Sequence, residues 1–285
     1  MLKKLVRNLK YVFVKQQWNQ IVDTYLHPVI QSELKEVIKV VEINFDEIQY
    51  RTWIENGKLE YRKYFYIHKK ALEFFFSASI LNISQNDIVL DAAAGRSKYL
   101  DAVRLNTGCT NLLMNDHIYQ GITENKKGIK IVGGDVATIN LNNESVTKIS
   151  CHHAIEHFQG NKDVLFIIEI ARLLKVGGYA CIVPIFITNK YVECWNIRKT
   201  VIFDEGAELL IDESASLPGG DEDGHFSRLY SISSFKKRIL DTAHKNKLSY
   251  EIYECLINNT AMPDMNNNFG SILNKPLRLL KLTKR

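Results

Sequence analysis

The stretch Asp87-Ile-Val-Leu-Asp-Ala-Ala-Ala-Gly-Arg-Ser97 joins a short apolar run to a turn of small residues. The run ends at Asp91, and the residues after the turn predict a helix over Lys98–Asn106. A turn of small residues lets a ligand approach the backbone amides closely. Since ligands of open parallel sheets bind at the carboxyl ends of the strands, the stretch predicts a ligand site beside Asp91.

Apolar runs with strand-like lengths recur along the chain after this stretch, and helical segments separate several of them. The runs are Ile88–Leu90, Leu112–Met114, Ile129–Val132, Val146–Cys151, Tyr179–Ile187, Tyr250–Glu254 and Leu277–Leu282. The segment Asp163–Lys175 has helical periodicity and is followed by Gly177-Gly178, which we expect to end the helix. Alternation of this kind predicts an α/β fold, namely a Rossmann-like, doubly wound and mostly parallel sheet of seven strands.

The remaining segments flank or interrupt this alternation. Helical spacing within residues 1–14, 21–47 and 60–81 predicts an N-terminal helical extension over residues 1–80, followed by the main domain over residues 81–285. The aromatic side chains near the end of the extension are expected to pack a helix onto the neighbouring layer. Residues 188–224 lack the alternation and predict an insertion or lid after the fifth strand.

Three acidic residues lie at the ends of the first three predicted strands. Asp91 ends the first, Asp116 follows the second, and Asp135 follows the third. A carboxylate at the second position can accept hydrogen bonds from both hydroxyls of a ribose. Asp135 can accept from an exocyclic amine, and the N–H of Val136 can donate to a ring nitrogen. The three positions together indicate a ligand that contains a nucleoside.

Two further stretches make the chain resemble the class I S-adenosylmethionine-dependent methyltransferases. They are Ser145–Phe158, SVTKISCHHAIEHF, and Phe166–Ile182, FIIEIARLLKVGGYACI. The resemblance implies S-adenosyl-L-methionine as the cofactor, with Asp116 at its ribose and Asp135-Val136 at its adenine. It places at the methionine moiety the residues of the turn, namely Asp91, Ala92, Ala93, Gly95 and Ser97. The chain departs from the family pattern at Ala93 and Ser97, where glycines are usual, and at Thr147, where an aspartate is common.

Histidines are the candidates for the chemistry, because an oxygen acceptor with a high pKa benefits from a general base. His153 and His157 follow the fourth strand, and His225 follows the predicted lid. His152 is expected to line the cofactor. Each also has a structural interpretation: His157 as a partner of backbone groups, and His225 as an exposed loop residue. Asp221-Glu222-Asp223 is typical of a solvated acidic turn, and no metal site is predicted.

The resemblance therefore predicts a methyltransferase that acts on an oxygen of a small molecule or a glycan. The stretch Ser216–Tyr230 extends it to bacterial methyltransferases associated with surface-polysaccharide gene sets. Other functions remain open: a non-catalytic binding or scaffold protein with the same fold, or a methyltransferase acting on protein or nucleic acid. A nicotinamide-dependent reductase is disfavoured because the turn lacks G-x-G-x-x-G.

The distribution of charge along the chain indicates which kinds of partner to expect. The chain carries a formal charge of +5, but residues 1–20 and 275–285 hold ten basic residues and no acid. The intervening residues 21–274 are net acidic, which argues against a nucleic-acid substrate. Met1–Val14 is amphipathic and basic, so it is expected either to contact an anionic membrane surface or to pack on the sheet. No apolar run is long enough to span a bilayer.

The cysteines and the N-terminus indicate the compartment. Five scattered cysteines favour reduced thiols over a disulfide scaffold, and the first residues lack the pattern of a secretory signal. A cytoplasmic protein is therefore expected, with peripheral contact to the inner face of the membrane if residues 1–14 bind it.

Overall fold

The predicted strands come together in one large sheet in the computed structural model, which describes residues 29–59, 69–195, 204–211, 226–257, 260–261 and 277–285. The amphipathic segment Met1–Val14, the acidic turn Asp221–Asp223 and His225 lie outside these residues. Among the described residues, no helix is long and apolar enough to cross a membrane.

The seven predicted strands form the centre of the sheet. They are β2 (Ile88–Ala92), β3 (Asn111–Met114), β5 (Ile129–Val132), β6 (Val146–His152), β7 (Leu174–Val183), β11 (Leu248–Ile257) and β13 (Arg278–Lys284). Their order across the sheet is β5-β3-β2-β6-β7-β13-β11, and β13 runs antiparallel to both of its neighbours. The predicted Rossmann-like, mostly parallel fold is confirmed.

The sheet is larger than predicted, because its described part contains ten strands. The short β12 (Thr260–Ala261) pairs with β11, and β4 (Thr123–Lys126) pairs antiparallel with β5 at one edge. At the other edge β1 (Val40–Asn44) pairs in parallel with β11. The predicted helix over residues 21–47 is therefore wrong for β1. Its residues Val40, Val41 and Ile43 are β-branched, and the free edge of β11 offers them ladder hydrogen bonds.

Helices cover both faces of the sheet. They are α1 (Gln31–Lys35), α2 (Glu47–Asn56), α3 (Lys69–Leu81), α4 (Tyr99–Thr107), α5 (Lys162–Leu173), α6 (Ile232–Phe235) and α7 (Asp241–Lys245), the last two joined by a π-helical turn over Lys236–Leu240. One apolar core contains the inner side of α5, and the other contains α3 and α4. Phe74, Phe75 and Phe76 of α3 are buried in the second core, as the aromatic pattern predicts.

The glycine pair after α5 does not end the helix, which stops at Leu173, before β7 begins. Gly177 adopts a φ of +78° within β7. A Cβ atom on Gly178 would lie 2.8 Å from the carbonyl oxygen of Lys175 and 2.9 Å from that of Thr147. The pair is therefore required by a tight bend at the start of the strand and by close packing against β6, and the prediction of a helix cap was wrong.

The predicted insertion contains part of a second, three-stranded sheet. Its strands are β8 (Val192–Trp195), β9 (Glu208–Ile211) and β10 (Phe226–Leu229), in the order β10-β8-β9. Arg228 of β10 is buried, and its guanidinium lies 2.8 Å from Glu193 of β8 and 3.1 Å from Asp163 of α5. The described strands of the insertion are thus fixed to the main domain by buried charges.

Candidate active site

The carboxyl ends of β2, β3, β5 and β6 meet at one edge of the sheet, because these four strands are parallel neighbours. Asp91 and Ala92 end β2, His152 ends β6, Asp116 follows β3, and Asp135 follows β5. The structure therefore brings the strand-end residues predicted from the sequence to the same edge.

The turn after β2 adopts a left-handed backbone at two positions. Ala93 has a φ of +52° and Gly95 a φ of +56°. The conformation costs an alanine about 1–2 kcal/mol, because its Cβ atom approaches the backbone, whereas glycine adopts it freely. Ala93 thus occupies a conformation that suits the glycine usual at this position. The N–H of Ala94 donates to the carbonyl oxygen of Asn115 at 2.9 Å, which joins the turn to the end of β3.

Asp116 is held beside this turn by backbone donors. Its carboxylate accepts hydrogen bonds from the N–H of Gly95 at 2.7 Å and from the N–H of Ile118 at 3.0 Å. The preceding Asn115 is fully buried and donates to the carbonyl oxygens of Val132 at 2.8 Å and Gly134 at 3.2 Å. The carboxylate therefore has a fixed position, and each of its oxygens keeps further lone pairs for a ligand.

Asp135 and Val136 follow β5 with different surroundings. Val136 is buried in the core on the α5 face. The carboxylate of Asp135 accepts from the N–H of Ala137 at 2.9 Å and lies 2.7 Å from the Nζ atom of Lys162. Burial alone raises the pKa of Asp135, but these two partners outweigh it and lower the pKa. The residue is therefore an ionised acceptor at neutral pH.

A buried aspartate–histidine pair forms the base of the site. The Oδ1 atom of Asp91 lies 3.1 Å from Nδ1 of His152 and accepts from the hydroxyl of Ser150 at 2.8 Å. Burial lowers the pKa of His152, although Asp91 partly opposes the shift. A neutral imidazole whose Nδ1–H donates to Asp91 has an unprotonated Nε2.

The rings of Phe74 and Tyr99 fix the orientation of His152. Their centroids lie 4.9 Å and 4.4 Å from that of the imidazole. Among the described residues, Nε2 of His152 and Oδ2 of Asp91 are both buried without a hydrogen-bond partner. Buried acceptors without donors are costly in a folded protein, and these two suit a ligand that brings a cationic donor.

His153 and His157 follow the end of β6, and their ring centroids lie 6.3 Å apart. His153 leaves β6 with a φ of +54°, and its N–H donates to the carbonyl oxygen of Val183 at 2.6 Å. Its Nδ1 atom lies 3.2 Å from Glu156 and 3.6 Å from Glu73 of α3. Both carboxylates are almost fully buried, at 2% and 0% exposed. His153 is therefore oriented by carboxylates on two separate elements.

His157 is hydrogen-bonded to the strand that follows the insertion. Its Nδ1 atom lies 2.7 Å from the carbonyl oxygen of Phe226 in β10 and therefore donates a hydrogen bond to it. Its Nε2 atom lies 3.7 Å from Glu156. The expectation that His157 bonds to backbone agrees with this contact, and the contact also fixes which ring nitrogen faces Glu156.

Several residues of the site were missed by the sequence reasoning. Ser150 and Tyr99 contact the Asp91–His152 pair, and Glu73 and Glu156 contact the other histidines. Glu156 carried a signal, since it lies three residues after His153 and immediately before His157. Glu73 carried none, because only the packing of α3 on the sheet brings it to the site. Thr147, a departure from the family pattern, lies at the amino end of β6, where its hydroxyl donates to Asp87 at 2.7 Å.

Comparisons with known proteins cover the part of the chain that forms this site. Residues 90–182, about a third of the chain, match a family model described as a methyltransferase domain. No curated protein matches the chain. Solved structures that resemble it include YcgJ from Bacillus subtilis, with 14% identity, a TM-score of 0.43 and coverage of 75% of this chain and 99% of that one.

Two further solved structures have similar values. A complex of the Haloferax volcanii Trm112 methyltransferase activator with a methyltransferase matches with 14% identity and a TM-score of 0.47, covering 82% of this chain and 95% of that one. A geranyl diphosphate methyltransferase in complex with GPP and sinefungin matches with 11% identity and a TM-score of 0.42, covering 74% and 76%.

Proposed function

We propose that this chain, which carries a class I S-adenosylmethionine-dependent methyltransferase domain, transfers a methyl group to an oxygen atom of a small molecule or a glycan. The family match confirms the predicted class and its cofactor, S-adenosyl-L-methionine. The acceptor, the transfer activity of this chain and the roles of its residues are the proposal.

The observation that carries the proposal is the pair of buried acceptors at the end of β2 and β6. Oδ2 of Asp91 and Nε2 of His152 lack partners among the described residues. The methionine part of the cofactor ends in an ammonium group, which supplies donors of the kind these atoms require. The residues present therefore fit the cofactor. When bound, S-adenosylmethionine supplies an electrophilic methyl group on a sulfonium.

The other residues around the crevice would hold the cofactor as the family pattern implies. The fixed carboxylate of Asp116 would accept from the ribose hydroxyls. Asp135 and the backbone of Val136 would face the adenine. The turn residues Ala92, Ala93, Gly95 and Ser97 would surround the methionine. In this arrangement the protein contributes position and orientation, which are the main contributions required for in-line methyl transfer.

His153 is proposed as the base that takes the proton from the acceptor hydroxyl. Nδ1 of His153 lies 3.2 Å from the carboxylate of Glu156, and in the tautomer protonated at Nδ1 the Nε2 atom is an acceptor. The buried carboxylates of Glu156 and Glu73 stabilise the imidazolium that forms, as the carboxylate of a catalytic triad does. His157 is proposed as a positioning residue, since it holds β10 against Glu156. His225 remains a candidate from the sequence alone.

The acceptor pocket is proposed to lie between α3, the segment after β6 and the three-stranded sheet of β8, β9 and β10. This location is supported by the contacts of His153 with Glu73 and of His157 with β10. A glycan of a surface-polysaccharide pathway is the narrower proposal, and it rests on the sequence resemblance of Ser216–Tyr230 alone. We propose a cytoplasmic location on the same grounds as the sequence prediction.

Two linked measurements test the function. Calorimetry should show binding of S-adenosylhomocysteine to the full chain, and Asp91→Asn should weaken it at least tenfold, because the amide removes the charge that attracts an ammonium group. Transfer of labelled methyl groups to fractionated cell extract should then be lost in His153→Gln, while cofactor binding is kept. Binding without transfer to any fraction would identify a non-catalytic binding protein. Absence of binding would refute the proposal as a whole.

A further inference from the structure

A cavity of about 460 Å³ lies beside α4, over the outer strands β3 and β5. Its apolar lining comes from Met114 of β3 and from Ile129 and Ile131 of β5, and Tyr119 adds an aromatic ring. The volume is within the range of about 300–1,000 Å³ that is usual for small-molecule sites. The cavity is therefore large enough for a ligand with a sizeable apolar or aromatic part.

The cavity exists because the connection between β3 and β5 lacks an α-helix. These strands are parallel, and parallel neighbours are usually joined by a helix that packs on the sheet. Here residues 115–128 form only a 3₁₀ turn (His117–Tyr119) and the edge strand β4. The face that a crossover helix would cover is thus left open to a ligand.

Four cationic side chains surround this apolar floor. Arg96 and Lys98 precede α4, Lys126 ends β4, and Lys127 lies in the turn between β4 and β5. Arg96, Lys126 and Lys127 form no ion pair with the described residues. The concentration is unusual in a chain whose residues 21–274 are net acidic.

The single acid that lines the cavity does not neutralise these cations. Asp101 lies 2.7 Å from the guanidinium of Arg104, which also donates to the carbonyl oxygen of Lys127 at 2.6 Å. The distance between Asp101 and Lys98 is 3.9 Å, so this contact is weak. The lining of the cavity therefore combines a net positive charge with an apolar floor.

We propose that this cavity binds a phosphorylated small molecule whose other part is aromatic or apolar, in the size class of a nucleoside diphosphate. Clustered Arg and Lys side chains bind phosphate oxygens through charge-assisted hydrogen bonds. The floor of Met114, Ile129 and Ile131 buries the rest of the molecule.

The floor of the cavity is distinct from the residues proposed to hold the cofactor. Ser97, which is proposed to surround the methionine, also lines the cavity, and Met114 and Tyr119 lie on either side of Asp116, so the two sites adjoin. Ile129 begins β5, so the floor reaches the amino end of a strand whose carboxyl end faces the cofactor. The proposal therefore stands independently of the proposed methyltransferase activity.

Calorimetry with uridine diphosphate on the full chain tests the site, because this probe carries two phosphates and no adenine. The titration is made in the presence of saturating S-adenosylhomocysteine. Uridine and pyrophosphate should each bind at least about tenfold more weakly than uridine diphosphate. Uridine lacks the phosphates that the cationic side chains would bind, and pyrophosphate lacks the nucleoside that the apolar floor would bury. The double variant Lys126→Gln/Lys127→Gln should also lose at least about tenfold in affinity.

The matched control is Lys175→Gln/Lys245→Gln, which removes two exposed lysines outside the cavity and changes the net charge equally. It should bind the probe as the wild type does, and both double variants should keep the wild-type melting temperature. The proposal is overturned if the diphosphate does not bind at about 5 mM, where a millimolar site is mostly filled. Displacement of the probe by S-adenosylhomocysteine, or equal losses in the two double variants, would also overturn it.

Discussion

Replacement of Arg228 by methionine should destabilise the protein strongly and release the insertion from the main domain. Arg228 is fully buried, and its guanidinium contacts Glu193, Asp204 and Asp163 at 2.8, 3.0 and 3.1 Å. It also donates to the carbonyl oxygens of Phe158 and Gly160. Methionine keeps much of the volume and removes all of these interactions.

The expected loss of stability depends on which contacts of Arg228 the neighbouring Arg238 can replace. Arg238 contacts both Asp163 and Asp204 at 2.6 Å, so these two carboxylates remain paired in the variant. Glu193 loses the cation that neutralises it while it stays buried. Removal of one partner of a buried ion pair costs about 3–5 kcal/mol. At roughly 2–4 °C per kcal/mol for a chain of this size, the melting temperature should fall by about 6–20 °C.

The loss of stability in Arg228→Met should be smaller at low pH. Burial raises the pKa of Glu193, and Arg228 opposes the rise. Without Arg228 the pKa in the folded state rises further above that of the unfolded chain. Such a group contributes stability at low pH and loses it as the pH rises through the folded pKa. The substitution should therefore cost less at pH 5 than at pH 8.

Urea denaturation at the two pH values measures both effects. Glu193→Leu in the Arg228→Met background should recover part of the stability, because apolar replacement of a whole buried pair is often neutral. Arg51→Met serves as the control, since Arg51 pairs with Glu47 on the surface and such pairs contribute at most about 1 kcal/mol. A loss below about 1 kcal/mol in Arg228→Met, or the same loss at both pH values, would refute the reasoning.

Four further predictions concern other parts of the chain. Ala93→Gly should bind S-adenosylhomocysteine at least as tightly as the wild type by calorimetry, and should not lower the free energy of unfolding in urea, because glycine adopts the φ of +52° without penalty. The wild type should lose stability as the pH falls below 6.5, because the pKa of His152 is lowered in the folded state. Urea denaturation at several pH values should show a smaller loss in His152→Asn. Gly178→Ala should lose more stability in the same assay than Gly177→Ala, because only the first substitution places a Cβ atom within 3 Å of backbone oxygens. Removal of residues 1–14 should abolish flotation with anionic liposomes; equal flotation of both proteins would remove the membrane hypothesis for Met1–Val14.

The central strands could be predicted because of where they lie in the fold. Strands such as β2 and β3 contribute to both apolar cores, so they appear in the sequence as the continuous apolar runs Ile88–Leu90 and Leu112–Met114. The edge strands lack that signal. Every residue of β4 is exposed, and no residue of the five-residue β1 is fully buried. Their pairing depends on the free edges of β5 and β11, which no local pattern reports.

The same distinction applies to the candidate site. Asp91, Asp116 and Asp135 could be placed together from the sequence, because each follows a strand of one parallel sheet. Glu73 could not, since it approaches His153 only through the packing of α3. The partner of His157 could not be predicted either, because β10 follows the insertion and its contacts with β8 and α5 are made by buried charges.

The proposed acceptor side therefore depends on elements outside the strand–helix alternation that builds the cofactor side. His153 is oriented by Glu73 from α3, and His157 by the backbone of Phe226 in β10. The Asp91–His152 pair instead contacts β6 and the rings of Phe74 and Tyr99. Substitutions in β10 can thus change acceptor binding without altering the groups proposed to bind the cofactor. Since Arg228 fixes β10, Arg228→Lys should impair methyl transfer to the acceptor more than it weakens binding of S-adenosylhomocysteine. Equal losses of transfer and cofactor binding in this variant would show that the two sides are not separable.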